Sequence, residues 1–203
     1  DNCETKNTLV LCTEEEEIVQ KLSFIADRYL PRKTGLRRGS LTVETGNQCG
    51  DSEAEGANVV LGARRSKELD QIAGQITQSN GSAVTLAGDV TDASYAQALV
   101  NLATESFGGL DGAFNNAGMM GDMCPVGEMT TETWNTVIAT NLTSGFSAAK
   151  AQIPAMEKRG GGSIVFTSSF VGYSNGGMPG MGAYAAAKAG LIGLAQSLAA
   201  DHG

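Results

Sequence analysis

The sequence predicts an α/β protein, a doubly wound parallel sheet in three layers, α/β/α. Short apolar runs recur along the chain, among them Asn58-Val-Val-Leu-Gly62 and Ser163-Ile-Val-Phe-Thr167. Segments of helical period lie between them, and such alternation builds βαβ units on a parallel sheet. Glycine is abundant, 27 of 203 residues, and aromatics make up only 5%, which suits many tight turns between strands and helices.

From the N-terminus, Asn7-Thr-Leu-Val-Leu-Cys12 reads as a short strand. Thr13 and the acidic run Glu14 to Glu17 read as an N-cap with acids in the first turn. Ile18, Leu22, Ile25 and Tyr29 keep helical spacing until Pro31 ends the helix. Residues 31–56 show no period and read as loop. Regularity begins abruptly at Glu55-Gly-Ala-Asn-Val59. The expected division is therefore an atypical N-terminal segment, 1–56, and a regular domain, 57–203. A frame, splice or assembly error over residues 1–55 and a small subdomain over 1–33 are the alternative accounts of that break.

After the Asn58 strand, Ser66 caps a helix carrying Leu69, Ile72, Ala73 and Ile76, closed by Asn80-Gly81. Ala83 to Ala87 is the next strand. Asp92 caps a helix through Leu99, Leu102, Ala103 and Phe107, closed by Gly108-Gly109. Leu110 to Phe114 is a strand, followed by Asn115-Asn-Ala-Gly118. A long helix runs from about Thr131 to Lys158, with Pro154 near its end, and Gly160-Gly-Gly162 breaks it. The Ser163 strand, Ser168-Ser169 and a glycine-rich loop lead to a last helix containing Tyr184. In this pattern Arg64, Asp89, Asn115, Asn116, Ser168 and Ser169 fall at the carboxyl edge of the sheet, where such sheets bind ligands.

Charge and composition narrow the function classes. A net charge of −8 argues against nucleic acid as a partner, because no basic stripe exists to neutralise phosphates. No apolar run reaches the roughly 18 residues of a membrane span, and no basic-then-apolar leader is seen. Cys3, Cys12, Cys49 and Cys124 form no CxxC pair. They read as free thiols in a reducing, cytoplasmic setting, and no metal site is expected.

The chemistry centres on Tyr184-Ala-Ala-Ala-Lys188. Residues four apart share a helix face. A tyrosine is a poor acid or base near neutrality, and an adjacent ammonium favours its phenolate. Taken alone, the pair also fits an exposed helix face. Together with Asp89-Val90, Asn115-Asn116-Ala117-Gly118, Asn141 and Ser169, in this order and spacing, it resembles the short-chain dehydrogenase/reductase (SDR) family over roughly residues 57–203.

That resemblance implies a Rossmann-like sheet and a cofactor, NAD(H) or NADP(H). It implies that Tyr184 gives or takes the proton at a substrate oxygen and that Lys188 assists Tyr184 and holds the nicotinamide ribose. Ser169 would bind the substrate carbonyl or alcohol, and Asn141 would hold a water of the proton relay. Ser168 is an equal candidate for the hydroxyl. Ser169 is preferred because it precedes Phe170-Val-Gly172 as the family's serine precedes its glycine. Asn141 could instead simply bond its own backbone. Asn115 and Asn116 would tie the central strands together, with Asn116, Ala117 and Gly118 backing the cofactor. Asp89 and Val90 would meet the adenine, although an acid at a strand end is equally a helix cap. Ala63 stands where NAD-preferring members usually carry an acid, and Arg64 and Arg65 follow it. Guanidinium groups suit a 2′-phosphate, so NADP(H) is favoured, with NAD(H) left open.

The chain departs from the family in two places. The glycine-rich phosphate loop should precede Val59. The candidates are Thr34-Gly35-Leu-Arg-Arg-Gly39-Ser-Leu41, which keeps two of three glycines, and the Thr8–Cys12 strand, which is followed by four glutamates where a pyrophosphate would dock. Relative to the family pattern the C-terminal part is also absent, so the fold is expected to be incomplete. Two readings result. One is an NAD(P)H-dependent oxidoreductase interconverting a small-molecule carbonyl and a secondary alcohol. The other is a catalytically inactive dehydrogenase-like fragment serving as a binding or assembly module. The long helix and the Tyr184 helix are the family's usual dimer faces. Ala185, Ala186, Ala187, Ala189 and Gly190 would permit close packing there, so a homodimer or homotetramer is expected.

Overall fold

The structure, a computed structural model, describes residues 8–12, 58–78, 81–174 and 178–203. The expected helix after Thr13, the loop over residues 31–56 and the Thr34–Leu41 glycine segment lie outside the described residues.

Five parallel strands form one sheet in the order β3-β2-β1-β4-β5. They are β1 (Thr8–Cys12), β2 (Asn58–Ala63), β3 (Ser82–Ala87), β4 (Gly112–Asn115) and β5 (Ser163–Phe166). The helices are α1 (Ser66–Gln78), α2 (Ala93–Phe107), α3 (Thr131–Ile138), α4 (Ser144–Lys158) and α5 (Gly182–His202). The strand order reverses its direction of growth at β1, which pairs with β2 on one side and β4 on the other. The carboxyl ends of β1 and β4 thus mark the topological switch point, where sheets of this kind bind ligands. The central strand comes from the segment that the sequence set apart.

Burial on both faces explains the continuous apolar runs. Val60 and Ala113 belong to a cluster with Leu99, Val100, Ala103 and Met156 from α2 and α4. Val59, Leu61 and Phe114 belong to a second cluster with Leu69 and Ile76 from α1. Neighbouring strand residues point to opposite faces, and both faces here are apolar.

Caps set the helix ends. The Asp92 carboxylate accepts from Ser94 N at the start of α2, and Gly108 (φ 82°) closes it with its N–H on Thr104 O. The Thr130 hydroxyl accepts from Thr133 N at the start of α3. β4 begins at Gly112 rather than at the expected Leu110. Leu110 is fully buried in the core, and the Asp111 carboxylate is turned to Arg159 in a two-point ion pair (3.1 and 3.2 Å). The long helix expected from Thr131 to Lys158 is continuous in direction but contains a π turn, Ala139–Thr143, closed by Ser144 N–H on Ala139 O. One extra residue per turn changes which side chains face inward, and such bulges are frequent at functional sites.

Candidate active site

Lys188 lies on the inner side of α5 and is 2% exposed, so the Tyr184–Lys188 face is not a solvated one. Its ammonium lies 5.5 Å from the centroid of the Tyr184 ring and donates to Thr167 O at 2.7 Å. A buried ammonium needs such partners, because removing it from water is costly. The phenol ring is half-buried. The pair thus combines a fixed cation with a ring that solvent and substrate can reach.

The loop after β5 joins this centre from the other side. The Ser168 hydroxyl donates to Lys188 O at 2.9 Å, which commits it to the α5 backbone. Ser169 follows with extended backbone and makes no side-chain cap bond to the 3-10 turn Phe170–Gly172. Of the two serines, Ser169 is the one whose hydroxyl is not engaged in clipping α5. The backbone of that turn runs hard against α5, since a Cβ at Gly172 would lie 2.8 Å from the Lys188 carbonyl carbon.

The segment after β4 forms the third wall. Asn115 exchanges two hydrogen bonds with Gln152 of α4, both 3.0 Å. Thr167 Oγ1 donates to Asn116 Oδ1 at 2.7 Å. Asn141, presented by the π turn and 1% exposed, holds both backbone groups of Met119. Its Oδ1 accepts from Met119 N at 3.2 Å and its Nδ2 donates to Met119 O at 2.7 Å. Nδ2 also donates to Val137 O at 2.9 Å. A Cβ at Gly118 would lie 2.8 Å from Asn141 Oδ1 and 3.1 Å from Lys188 Nζ. Gly118 therefore brings Asn141 and Lys188 together across a bare backbone.

The remaining expected residues lie along the same sheet edge. Asp89 follows β3 and accepts from Thr91 through both the backbone N–H (2.8 Å) and the hydroxyl (2.7 Å). The Thr91 hydroxyl and then its N–H hold the Asp89 carboxyl below the usual carboxylate range, against the opposing effect of burial and with a lesser contribution from the charge of Arg64. Arg64 and Arg65 follow β2 and are exposed. Arg65 stands 3.5 Å from Glu68 on the next turn. Val90, Ala117, Asn115 and Asn141 line a partly open cleft between α2, α4 and the sheet. The loop residues Met119, Met120, Met123, Phe170 and Tyr173 are exposed.

Three contributors escape sequence reasoning. Thr167 acts through its backbone carbonyl, which no side-chain motif reveals. Tyr95 donates to Leu86 O at 2.6 Å and backs Gly62 and Gly88, where a Cβ would lie 2.8 Å from its hydroxyl oxygen and 2.3 Å from its ring. Gln152 is 3% exposed. The one available signal for it was a polar residue on the buried α4 stripe of Gly145, Ala149 and Met156. Among the small residues expected at a dimer face, Gly190 instead packs on Leu142 of its own chain, where a Cβ would lie 2.7 Å from Leu142 Cδ2. Ala187 is fully buried, whereas Ala186 and Ala189 are exposed.

Comparison with known proteins agrees with this architecture. A family model described as short chain dehydrogenase matches residues 48–203. Dehydrogenase/reductase SDR family member 4 of Rattus norvegicus is 35% identical over 148 residues, covering 72% of this chain and 52% of that protein. Levodione reductase of Leifsonia aquatica is 34% identical over 155 residues, covering 74% of this chain and 56% of that protein. A solved 3-ketoacyl-ACP reductase of Sinorhizobium meliloti superposes with a TM-score of 0.76 at 27% identity, over 95% of this chain and 66% of that one. The chain thus spans about half the length of the curated relatives that it matches.

Proposed function

The chain belongs to the short-chain dehydrogenase family, and on that premise we propose that it works as an NAD(P)H-dependent oxidoreductase interconverting a carbonyl and a secondary alcohol. The observation that carries the proposal is the buried Lys188 ammonium held 5.5 Å from the Tyr184 ring. The ammonium stands over the ring beside a half-buried phenol, and Tyr184 is the side chain at this centre that would give a proton to, or take one from, a substrate oxygen. Ser169 donates to the same oxygen and keeps it oriented. Asn141 holds the Met119 end of the wall, and the water of the relay is assigned to its vicinity.

The residues fit a dinucleotide. Gly118 presents bare backbone to the centre, where a Cβ would intrude. The topological switch point lies between β1 and β4. Asn116, Ala117 and Gly118 would back the cofactor, Asp89 and Val90 would border the adenine, and Lys188 with Tyr184 would hold the ribose. Arg64 and Arg65 would meet a 2′-phosphate, which favours NADP(H). When bound, the cofactor supplies the hydride. The loops 116–130 and 167–181 contain no Lys, Arg or His, which supports a neutral, apolar-bodied substrate over an anionic one. Exposed Phe146 and Trp134 on α4 and α3 support self-association through that helix pair.

A second reading, a module without a working cofactor loop, is favoured by one feature. β1 ends at Cys12, and the residues that follow in the sequence are Thr13 and four glutamates. Titration of NADPH and NAD⁺ by calorimetry or Trp134 fluorescence separates the two readings. Saturable binding is expected, with Tyr184→Phe abolishing turnover and leaving affinity within about twofold. No binding at millimolar cofactor would select the module.

A further inference from the structure

We infer that Gln152 is a positioning residue of the active site: its amide, paired with Asn115, fixes the orientation in which β4 delivers the 115–119 segment to Lys188. The inference rests on the dehydrogenase reading for its functional consequence and on geometry for the rest. The wall of the site is held at successive points by side chains from three different elements. Gln152 of α4 takes Asn115 at 3.0 Å in both directions, Thr167 takes Asn116, and Asn141 takes Met119 through its N–H and its carbonyl. Gly118 lies between the last two holds, with its backbone against Lys188.

The Gln152 hold is the one that sequence spacing does not explain. A glutamine on a buried helix stripe is unfavourable unless its amide is satisfied. Here each amide donates one N–H and accepts one through its oxygen, forming a closed ring of two bonds. Such a ring sets the angle of the Asn115 side chain, and with it the strand end, more tightly than either bond alone. Replacement by an apolar residue would strand the Asn115 amide beside the cleft, and the strand end would turn to find new partners. The consequence would appear three residues on, where Gly118 and Met119 meet Lys188 and Asn141.

The chemistry of glutamic acid provides the sharpest test. A protonated Glu at position 152 accepts from Asn115 Nδ2 and donates its O–H to Asn115 Oδ1, reproducing both bonds. A carboxylate cannot donate, and sets oxygen against oxygen. Burial disfavours the charged form and raises the carboxyl pKa, so the ring should persist at low pH and open as pH rises. The only titratable side chain lining the cleft beside the pair, among the described residues, is Tyr95 of α2, and its hydroxyl is engaged with Leu86 O. β4, β5 and α5 contribute none to that lining, and Lys188 lies beyond Gly118.

The experiment uses the full chain with Gln152→Leu and Gln152→Glu. Two quantities are read: NADPH affinity, and hydrogen exchange of the Met119 amide, whose acceptor is Asn141 Oδ1. For Gln152→Leu the expected result is about tenfold weaker NADPH binding and at least tenfold faster exchange at Met119, with the Val59–Leu61 amides of β2 unchanged. For Gln152→Glu the expected result is wild-type affinity at pH 5.5, falling about tenfold by pH 8, while the wild type stays flat. Unchanged Met119 exchange, a uniform rise at every amide, or a pH-independent Gln152→Glu variant would each overturn the positioning role. If Gln152→Leu does not fold, the pH profile of Gln152→Glu decides. If the wild type binds no cofactor, the dehydrogenase reading fails, while the exchange arm still tests the ring.

Discussion

Substituting Gly118 by alanine tests the placement of the whole centre, because two opposing effects have calculable sizes. The backbone of Gly118 is not in the left-handed region. On conformational grounds alone, Gly118→Ala would therefore stabilise the fold by about 0.4–1 kcal/mol through loss of unfolded-state freedom. Sterics opposes this. The new methyl would lie 2.8 Å from Asn141 Oδ1 and 3.1 Å from Lys188 Nζ, several tenths of an ångström inside ordinary contact. Neither neighbour can yield cheaply. Asn141 is held by Val137 O and by both backbone groups of Met119, and Lys188 by Thr167 O. Overpacking of this kind costs about 1–3 kcal/mol, so the net expectation is a loss of about 1–2 kcal/mol. For a chain of this size that corresponds to a fall of roughly 2–8 °C in Tm. Urea unfolding followed by circular dichroism should show a lower midpoint with an unchanged slope, and NADPH affinity should fall at least tenfold as the ammonium is displaced. A midpoint equal to or above that of the wild type, with affinity within twofold, would refute the juxtaposition of Gly118, Asn141 and Lys188.

Four further outcomes are expected. Lys188→Met should fold with a midpoint close to wild type, because the methionine fills the buried stem's space, yet lower kcat by about 100-fold; stopped-flow or steady-state assays decide this. Arg159→Ala should cost about 1–2 kcal/mol in urea unfolding, since it breaks a two-point, largely buried pair with Asp111. Thr91→Ala should remove the hydroxyl bond, the largest of the causes that lower the Asp89 pKa, and leave the backbone N–H bond in place. Because a depressed carboxyl contributes stability above its unfolded pKa and loses it as pH falls through the folded value, wild type and variant should differ near neutrality and converge below about pH 3. Exposure and screening hold that difference to about 0.5 kcal/mol. Ala63→Asp combined with Arg64→Ala should shift the ratio of NADP⁺ to NAD⁺ affinity at least tenfold toward NAD⁺, and an unmoved ratio would remove the basis for the NADP(H) preference.

Legibility in the sequence followed the length scale of each interaction. The caps at Asp92 and Gly108 were readable because their bonds reach only residues close along the chain. β2 was readable to within a residue because burial leaves a continuous apolar run, and the partly buried β3 and β5 were readable from short, mainly apolar runs between helices. The start of β4 was displaced because Asp111 answers to Arg159, 48 residues away. The π turn at Ala139–Thr143 left no mark in the apolar period, since one inserted residue alters only which side chains turn inward. The sequence preferred Ser169 to Ser168 from its place before Phe170-Val-Gly172, and it gave no sign of the Ser168 bond to Lys188 O, which joins residues 20 apart.

The sequence by itself determined the α/β class, the strands on either side of the centre, and the residue types able to move a proton, because periodicity and motif spacing are local properties. Tertiary structure alone decided that Thr8–Cys12 occupies the middle of the sheet, since a short apolar strand carries no signal of its neighbours. It also decided that the Tyr184–Lys188 face is turned inward, with Gly118, Thr167 and Asn141 closing around the ammonium. Those contacts join residues that are distant along the chain, and only the packing of β4, β5 and α5 against one another brings them within bonding distance.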